Sequence, residues 1–171
     1  DLLELIADID AVVCGDDRFT AKVMDAAPRL KVIAKWGTGI DSIDCAAAAE
    51  RGIAVCRTRG AFTHPVADTV LGYVLCFARN LPFMDQAMKS GEWRKIPGRA
   101  MNEATLGVIG VGEIGTAVLR RAKPFGATLL GADLVGIDPE TVAETGVEQT
   151  TLEDLLSRSD YVSINCELTD S

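Results

Sequence analysis

The sequence has only one histidine, and its five cysteines are scattered. His64 stands alone, and no two cysteines have Cys-x-x-Cys spacing. Zinc sites are typically built from such pairs, and an odd number of cysteines argues against a complete disulfide framework. We therefore expect free thiols, a reducing cytoplasmic location and no bound metal.

Positive charge and long apolar runs are also scarce. Lysine and arginine number 17 against 25 aspartates and glutamates, which gives a net charge of −8. Nucleic-acid binding requires the opposite, a basic surface. The longest apolar run, residues 70–78, is far too short to cross a bilayer. We therefore expect no nucleic acid and no membrane among the partners.

One stretch, residues 105–133, organises the rest of the sequence. It reads TLGVIGVGEIGTAVLRRAKPFGATLLGAD. Residues 106–109 form a short, β-branched apolar run that predicts a buried strand, and apolar residues then recur at helical spacing. Gly126 ends this helix, and residues 127–131 predict a second strand that leads to Asp133. Strand, glycine turn, helix and strand make a βαβ unit.

The turn Gly110-x-Gly112-x-x-Gly115 predicts a dinucleotide site. The first glycine allows a sharp turn, the second lets the backbone approach a pyrophosphate, and the third lets helix and strand pack closely. The diphosphate would lie at the positive end of the helix dipole. Asp133 is placed to accept hydrogen bonds from the adenosine ribose and would repel the 2′-phosphate of NADP, so we predict NAD as the cofactor. A glycine-rich turn in an ordinary α/β domain is the alternative.

Strand and helix patterns alternate along the rest of the chain, which predicts an α/β fold with parallel sheets covered on both faces. We place a domain boundary near residue 65, between a domain of residues 1–65 and a domain of residues 66–171. The predicted strands outside the βαβ unit cover residues 11–14, 31–35, 53–56 and 161–165. The predicted helices outside it cover residues 2–7, 21–27, 45–51, 66–79, 81–89, 139–145 and 152–157.

Five further motifs are informative together: KWGTGIDSID at residues 35–44, AAERGIAV at 48–55, PVAD at 65–68, GEW at 91–93 and SDYVS at 159–163. With the glycine turn, they resemble the D-2-hydroxyacid dehydrogenase family, most closely its phosphoglycerate dehydrogenase branch. The resemblance implies a partial flavodoxin-like substrate domain followed by the first half of a Rossmann NAD-binding domain. It also implies that the chain is a central fragment of a longer protein, which forms a homodimer through the long helix.

The resemblance assigns roles to particular residues. Gly37, Thr38 and Gly39 would turn backbone N–H groups toward the carboxylate of a small 2-hydroxy or 2-oxo acid, and Thr38 would also reach the nicotinamide side of the cofactor. Glycines let consecutive amides form such an anion-binding concavity, although a plain turn is the alternative. The implied cofactor-binding residues are Thr38, Gly110, Gly112, Glu113, Ile114, Gly115, Asp133 and Cys166, with Cys166 on the adenosine side.

Three positions depart from the family pattern. The family usually has arginine at the position of Glu113, and a carboxylate about 6 Å from a phosphate costs ~0.7 kcal/mol in water. Glu167 replaces the usual proline after the last strand. Residues 14–17 read Cys-Gly-Asp-Asp, where phosphoglycerate enzymes carry Arg-Ser. We therefore expect weaker NAD binding, and phosphoglycerate is a poor candidate substrate.

The resemblance places no catalytic residue within this chain, because the family's catalytic Arg, Glu and His would lie beyond Ser171. In the family, the Arg clamps the substrate and the Glu–His pair shuttles the proton. A cap or loop role is favoured for His64, which has no glutamate at the matching spacing. Lys35 and Arg59 are interpreted either as attracting an anionic substrate or as solvated surface charge.

The leading hypothesis is an NAD-dependent oxidoreductase that interconverts a small D-2-hydroxy acid and its 2-oxo acid by hydride transfer. Two alternatives stay open. One is a relative that keeps NAD binding but acts as a regulator or co-repressor of transcription, and the other is an inactive fragment. A bound transcription factor with negligible turnover would favour the regulator.

Overall fold

The computed structural model describes residues 2–166, which divide into two compact units. Unit 1 comprises residues 2–62 and unit 2 comprises residues 63–166. Each unit contains its own parallel sheet, which confirms the predicted α/β class.

Unit 1 is a three-stranded parallel sheet in the order β1-β2-β3. Its elements are α1 (Leu2–Leu5), β1 (Ala11–Cys14), α2 (Ala21–Asp25), β2 (Val32–Lys35), α3 (Cys45–Glu50) and β3 (Ala54–Arg57). Ile33 in the central strand is fully buried and pairs with Val12 and Val55 on either side. A side chain at this position therefore packs into the centre of the unit 1 core.

Two helices of unit 1 begin at residues whose side chains cap them. The Thr20 hydroxyl accepts a hydrogen bond from the Val23 N–H at 3.4 Å, and the Asp44 carboxylate accepts one from the Ala47 N–H at 2.9 Å. Both bonds satisfy donors that have no partner inside the helix. Asp44 is therefore explained by helix capping.

Unit 2 is a four-stranded parallel sheet in the order β6-β5-β4-β7. Its helices are α4 (Thr63–Arg79), α5 (Leu81–Lys89), α6 (Glu113–Ala122), α7 (Pro139–Thr145) and α8 (Leu152–Arg158). Its strands are β4 (Thr105–Ile109), β5 (Thr128–Ala132), β6 (Glu148–Gln149) and β7 (Tyr161–Ile164). Short 3₁₀ turns cover Met101–Glu103 and Lys123–Phe125.

The core of unit 2 forms around β4 and the helices that cover it. Leu106 and Val108 are fully buried. A Cβ atom at Gly107 would lie 2.3 Å from the Ser159 hydroxyl oxygen and 2.5 Å from a methyl carbon of Leu155, so α8 and the residue after it lie directly on the strand. On α4, one stripe of side chains is buried in the same core: Ala67, Leu71, Val74 and Ala78.

Two elements of unit 2 differ from the sequence prediction. Helix α4 begins at Thr63 instead of residue 66, so His64 and Pro65 lie in its first turn. Proline is compatible with the first turn because its missing N–H would have no partner there. The short strand β6 was not predicted, because Glu148 and Gln149 are polar and exposed and show no apolar pattern.

No helix within residues 2–166 combines the length and the apolar character that crossing a membrane requires.

Candidate cofactor site and carboxylate-binding loop

The strand order of unit 2 reverses next to β4. The chain proceeds from β4 to β5 and β6 on one side, whereas β7 pairs with β4 on the other side. In open parallel sheets, ligands bind outside the carboxyl ends of the strands at such a point. Gly110 directly follows β4 and Cys166 lies two residues after β7, so the sheet topology brings both residues to this edge.

Gly110 has a conformation and a contact that exclude any other residue. Its φ of +79° lies in the left-handed region that favours glycine. A Cβ atom there would also lie 2.7 Å from the backbone nitrogen of Cys166. The turn after β4 and the backbone after β7 are therefore in direct contact, which fixes the shape of this edge.

Gly115 and Gly112 differ in the space around them. A Cβ atom at Gly115 would lie 2.1 Å from the carbonyl oxygen of Gly110, so helix α6 packs backbone to backbone against the turn. A Cβ atom at Gly112 would meet nothing within 4 Å among the described residues. The fold therefore requires Gly115, whereas the position of Gly112 leaves open space at the N-terminus of α6.

The N-terminus of α6 presents donors to this space. Gly112 occupies the N-cap position and provides no side-chain cap, and the first N–H groups of a helix have no carbonyl partner within the helix. Ile114 is half-buried and packs against the core. Glu113 is exposed in the first turn, where its charge suits the helix dipole but repels a bound phosphate.

Asp133 is held in place by two backbone hydrogen bonds. Its carboxylate accepts the Val111 N–H at 2.7 Å and the Val135 N–H at 3.1 Å, each on a different oxygen. An ionised carboxylate offers about four lone-pair positions, so two remain for a ligand. Because Val111 belongs to the glycine turn, Asp133 also links that turn to the end of β5. This link was not predicted from the sequence, since 22 residues separate the partners.

The two residues that follow Asp133 are apolar and fully in contact with solvent. Leu134 is 103% exposed and Val135 is 94% exposed. Neither residue was predicted to belong to the site, although two apolar residues directly after a strand-ending acid are a visible signal in the sequence. They provide an apolar surface beside the Asp133 carboxylate.

The loop of residues 36–44 in unit 1 contains the predicted carboxylate-binding residues. The Gly37 N–H donates to the Thr58 hydroxyl oxygen at 3.0 Å, and Arg57 donates to the Thr38 carbonyl at 3.1 Å. Among residues 2–166, the Thr38 and Gly39 N–H groups donate no hydrogen bond, and a Cβ atom at Gly39 would lie 3.0 Å from a carboxylate oxygen of Asp41. Two amides of the predicted three-residue set are therefore available to an anion.

Lys35 fits neither interpretation drawn from the sequence. Its side chain is only 5% exposed, and its ammonium donates to the Gly15 carbonyl at 2.5 Å and to the Asp16 carboxylate at 2.6 Å. The hydrogen bond from Lys35 holds the pKa of Asp16 below its ordinary value. Lys35 is thus a buried partner of the acidic loop, and one of the two loop charges is compensated.

His64 takes part in a contact between two helices of unit 2. Its Nδ1 lies 3.1 Å from Nη2 of Arg121. The Nε of the same guanidinium donates to the Asp68 carboxylate at 2.5 Å. A guanidinium only donates, so His64 accepts through Nδ1 and carries its proton on Nε2. The contact joins the first turn of α4 to α6, which is a structural role.

Glu167 lies outside the described residues. Cys166 is described and is exposed, next to the Gly110 turn. Within residues 2–166, no three His, Cys, Asp or Glu side chains come together in a group that could hold a metal ion.

Comparisons with known proteins agree with this geometry. Residues 71–171 match the NAD binding domain of the D-isomer specific 2-hydroxyacid dehydrogenases. The chain is 40% identical over 174 residues to D-3-phosphoglycerate dehydrogenase of Methanocaldococcus jannaschii, covering 99% of this chain and 33% of that protein. It is 36% identical to glyoxylate reductase of Korarchaeum cryptofilum, covering 99% of this chain and 53% of that protein.

A solved structure shows the same fold. The D-lactate dehydrogenase of Aquifex aeolicus, complexed with NAD and lactic acid, superposes with a TM-score of 0.90 at 27% identity and covers 98% of this chain. The match covers 51% of the Aquifex chain. The chain thus spans between about a third and about half of the length of the relatives that it matches.

Replacing two glycines should separate folding from cofactor binding. Gly115→Ala forces a methyl group against the Gly110 carbonyl, so we expect a loss of about 1–3 kcal/mol in the free energy of unfolding. Gly112→Ala adds a methyl group in open space, so stability should change by less than about 0.5 kcal/mol. The same methyl group obstructs the helix N-terminus, and NADH should bind roughly tenfold more weakly. Urea unfolding and NADH fluorescence titration measure these effects. Equal stability of the two variants would contradict the close contact of Gly115 with the Gly110 carbonyl.

Removing the Asp133 carboxylate should change the cofactor preference. Asp133→Ala removes a charged acceptor for the ribose hydroxyls, so we expect NADH to bind about tenfold more weakly. NADPH should be affected less, because the same carboxylate repels its 2′-phosphate. Dissociation constants from fluorescence titration give both values. Glu140→Ala, which removes an exposed carboxylate from the first turn of α7, is the charge control. The ribose assignment is wrong if the two cofactors weaken alike.

Proposed function

This chain belongs to the D-isomer specific 2-hydroxyacid dehydrogenases, and we propose that it forms part of an enzyme that interconverts a small D-2-hydroxy acid and its 2-oxo acid with NAD. The observation that carries the proposal is the open space at Gly112, bounded by the N-terminus of α6 and placed beside the Asp133 carboxylate. That combination suits a diphosphate joined to a ribose. When bound, NAD supplies a hydride donor or acceptor at its nicotinamide ring.

The chain's own residues form the proposed binding site for the adenosine diphosphate part of the cofactor. The N–H groups at the start of α6 donate to the diphosphate, and the two unused lone-pair positions of Asp133 accept the ribose hydroxyls. Leu134 and Val135 offer an apolar surface to the adenine ring, with Cys166 at the neighbouring strand end. Glu113 lowers the affinity, because it places a negative charge near the diphosphate.

The substrate carboxylate is proposed to bind the amides of Thr38 and Gly39. The net charge of the loop at the end of β1, residues 14–17, then affects which acid the site accepts as a substrate. Lys35 compensates Asp16, whereas no cation partners the neighbouring Asp17 within the described residues. Burial raises the pKa of the Cys14 thiol, so this side chain also brings no charge to the loop at neutral pH. A loop with uncompensated negative charge disfavours a phosphorylated acid, and we propose an unphosphorylated substrate such as glyoxylate or pyruvate.

The oxidation of NADH by the full-length protein tests this function. We expect turnover with glyoxylate or pyruvate at a kcat/KM at least roughly tenfold above that for a phosphorylated three-carbon 2-oxo acid, a difference of about 1.4 kcal/mol. Asp17→Asn removes one negative charge without disturbing the Lys35–Asp16 pair, so it should narrow this difference. The function is wrong if no 2-oxo acid is reduced. A preference for the phosphorylated acid would reject the substrate assignment alone.

A homodimer interface is proposed on the outer face of α4 and α5. Side chains four residues apart share one face of a helix, and here that face is apolar. Its exposed members on α4 are Val66, Tyr73 and Phe77, and α5 carries the exposed apolar side chains Leu81 and Phe83. An apolar patch of this kind on the surface of a protein marks a contact with another molecule. A cytoplasmic location is proposed from the five unpaired cysteines, which are typical of reducing compartments.

The double variant Tyr73→Glu/Phe77→Glu tests the interface. Burying two carboxylates at an apolar contact is costly, so we expect a monomer where the unmodified protein is a dimer. Sedimentation velocity measures the mass, and NADH titration checks that the cofactor site is intact. Leu5→Glu, which changes an exposed apolar residue on α1, should leave the dimer unchanged. A monomeric unmodified protein would exclude the interface.

A further inference from the structure

The loop after β2 is held by two residues at the end of β3. We propose that Thr58 and Arg57 are positioning residues that aim the Thr38 and Gly39 N–H groups at the substrate carboxylate. The inference rests on the proposed function, and it adds residues outside the glycine loop that decide whether the loop can bind an anion.

Thr58 makes three hydrogen bonds to a single residue, Gly37. Its hydroxyl accepts the Gly37 N–H at 3.0 Å and donates to the Gly37 carbonyl at 3.1 Å. Its own N–H donates to the same carbonyl at 3.1 Å. A hydroxyl can donate one hydrogen bond and accept two, so the Thr58 hydroxyl makes both of its bonds to Gly37 at once. The backbone N–H of Thr58 makes the third bond. Gly37 is therefore fixed on both its amide and its carbonyl side.

Arg57 makes the matching contact one residue further along the loop. Its guanidinium donates to the Thr38 carbonyl at 3.1 Å. The carbonyls of Gly37 and Thr38 are thus both engaged by the end of β3.

The direction of the free amides follows from peptide geometry. In a planar trans peptide, the C=O and the following N–H point in opposite directions. The Gly37 carbonyl shares a peptide with the Thr38 N–H, and the Thr38 carbonyl shares one with the Gly39 N–H. Because the Gly37 carbonyl points to Thr58 and the Thr38 carbonyl points to the Arg57 guanidinium, each of the two following N–H groups points away from its own partner.

The same bonds make the two amides stronger donors. A peptide whose carbonyl accepts a hydrogen bond is polarised, and its N–H donates more strongly. The bond from Arg57 is charge-assisted, which increases this effect for the Gly39 amide. Lys35 supports the loop through its aliphatic stem, because a Cβ atom at Gly37 would lie 3.0 Å from Lys35 Cε. The Lys35 ammonium donates hydrogen bonds to the Gly15 carbonyl and to the Asp16 carboxylate.

Two variants of Thr58 test the inference in the full-length protein. Thr58→Val keeps the size of the side chain and removes its two hydrogen bonds, and Thr58→Ser keeps the hydroxyl. The probe is oxamate, an unreactive carboxylate with the shape of a 2-oxo acid, and its dissociation constant in the presence of NADH is measured by calorimetry. The KM and kcat of the best 2-oxo acid are measured in parallel. Thr128→Val, an exposed threonine at the start of β5, is the matched control.

We expect Thr58→Val to weaken oxamate binding roughly three- to tenfold, the range that net hydrogen-bond contributions give. The KM should rise by a similar factor with kcat nearly unchanged, because the carboxylate is held equally in the ground state and the transition state. Thr58→Ser should restore both values, and the dissociation constant of NADH should stay constant.

The inference is overturned if oxamate binds to Thr58→Val as it does to the unmodified protein, or if Thr58→Ser is as defective as Thr58→Val. A loss of both kcat and thermal stability without a change in KM would also overturn it. That result is expected if Thr58 only stabilises the fold and does not orient the amides. The calorimetric result does not depend on turnover. If the unmodified protein binds oxamate but reduces no 2-oxo acid, the proposed function fails while the positioning role stands.

Discussion

In unit 2, the backbone of α6 touches the backbone of the turn that precedes it, and no methyl group fits between them. Gly115 lies so close to the Gly110 carbonyl that the start of the helix is fixed relative to the end of β4. The N–H groups of the first helical turn must therefore face the carboxyl edge of the sheet. The direction in which the N-terminus of α6 and the open space at Gly112 face depends on this contact.

Contacts within the protein hold the glycine turn of the candidate cofactor site. The turn after β4 touches the backbone after β7 through Gly110, and it is joined to the end of β5 through the bond from Val111 to Asp133. Three strand ends thus fix one short turn. A binding site whose donors are already in place loses less conformational entropy on binding, so more of the contact energy is available for affinity. The Gly37 loop of unit 1 is also held by a side chain distant in the sequence: the Thr58 hydroxyl accepts a loop N–H, as the Asp133 carboxylate does in unit 2.

Local features of the fold were predictable from the sequence, whereas contacts between distant residues were not. The bounds of α5 and α7 agree with the prediction: each helix has a proline in its first turn, and Asp138 caps the start of α7. The start of α4 was missed, since a helix can continue through a proline in its first turn. The pairing of Lys35 with Asp16 and the hold of Thr58 on Gly37 join residues about 20 positions apart, and no periodicity records such contacts.

The exposed carboxylate of Glu113 gives the site an unusual dependence on its surroundings. Attraction between a diphosphate and basic side chains weakens as salt is added, because mobile ions screen exposed charges within about 10 Å at 0.1 M. At the proposed site, the exposed charge of Glu113 would have the same sign as the diphosphate. Screening would therefore reduce a repulsion, and the contribution of Glu113 would make the affinity for the cofactor rise with salt concentration.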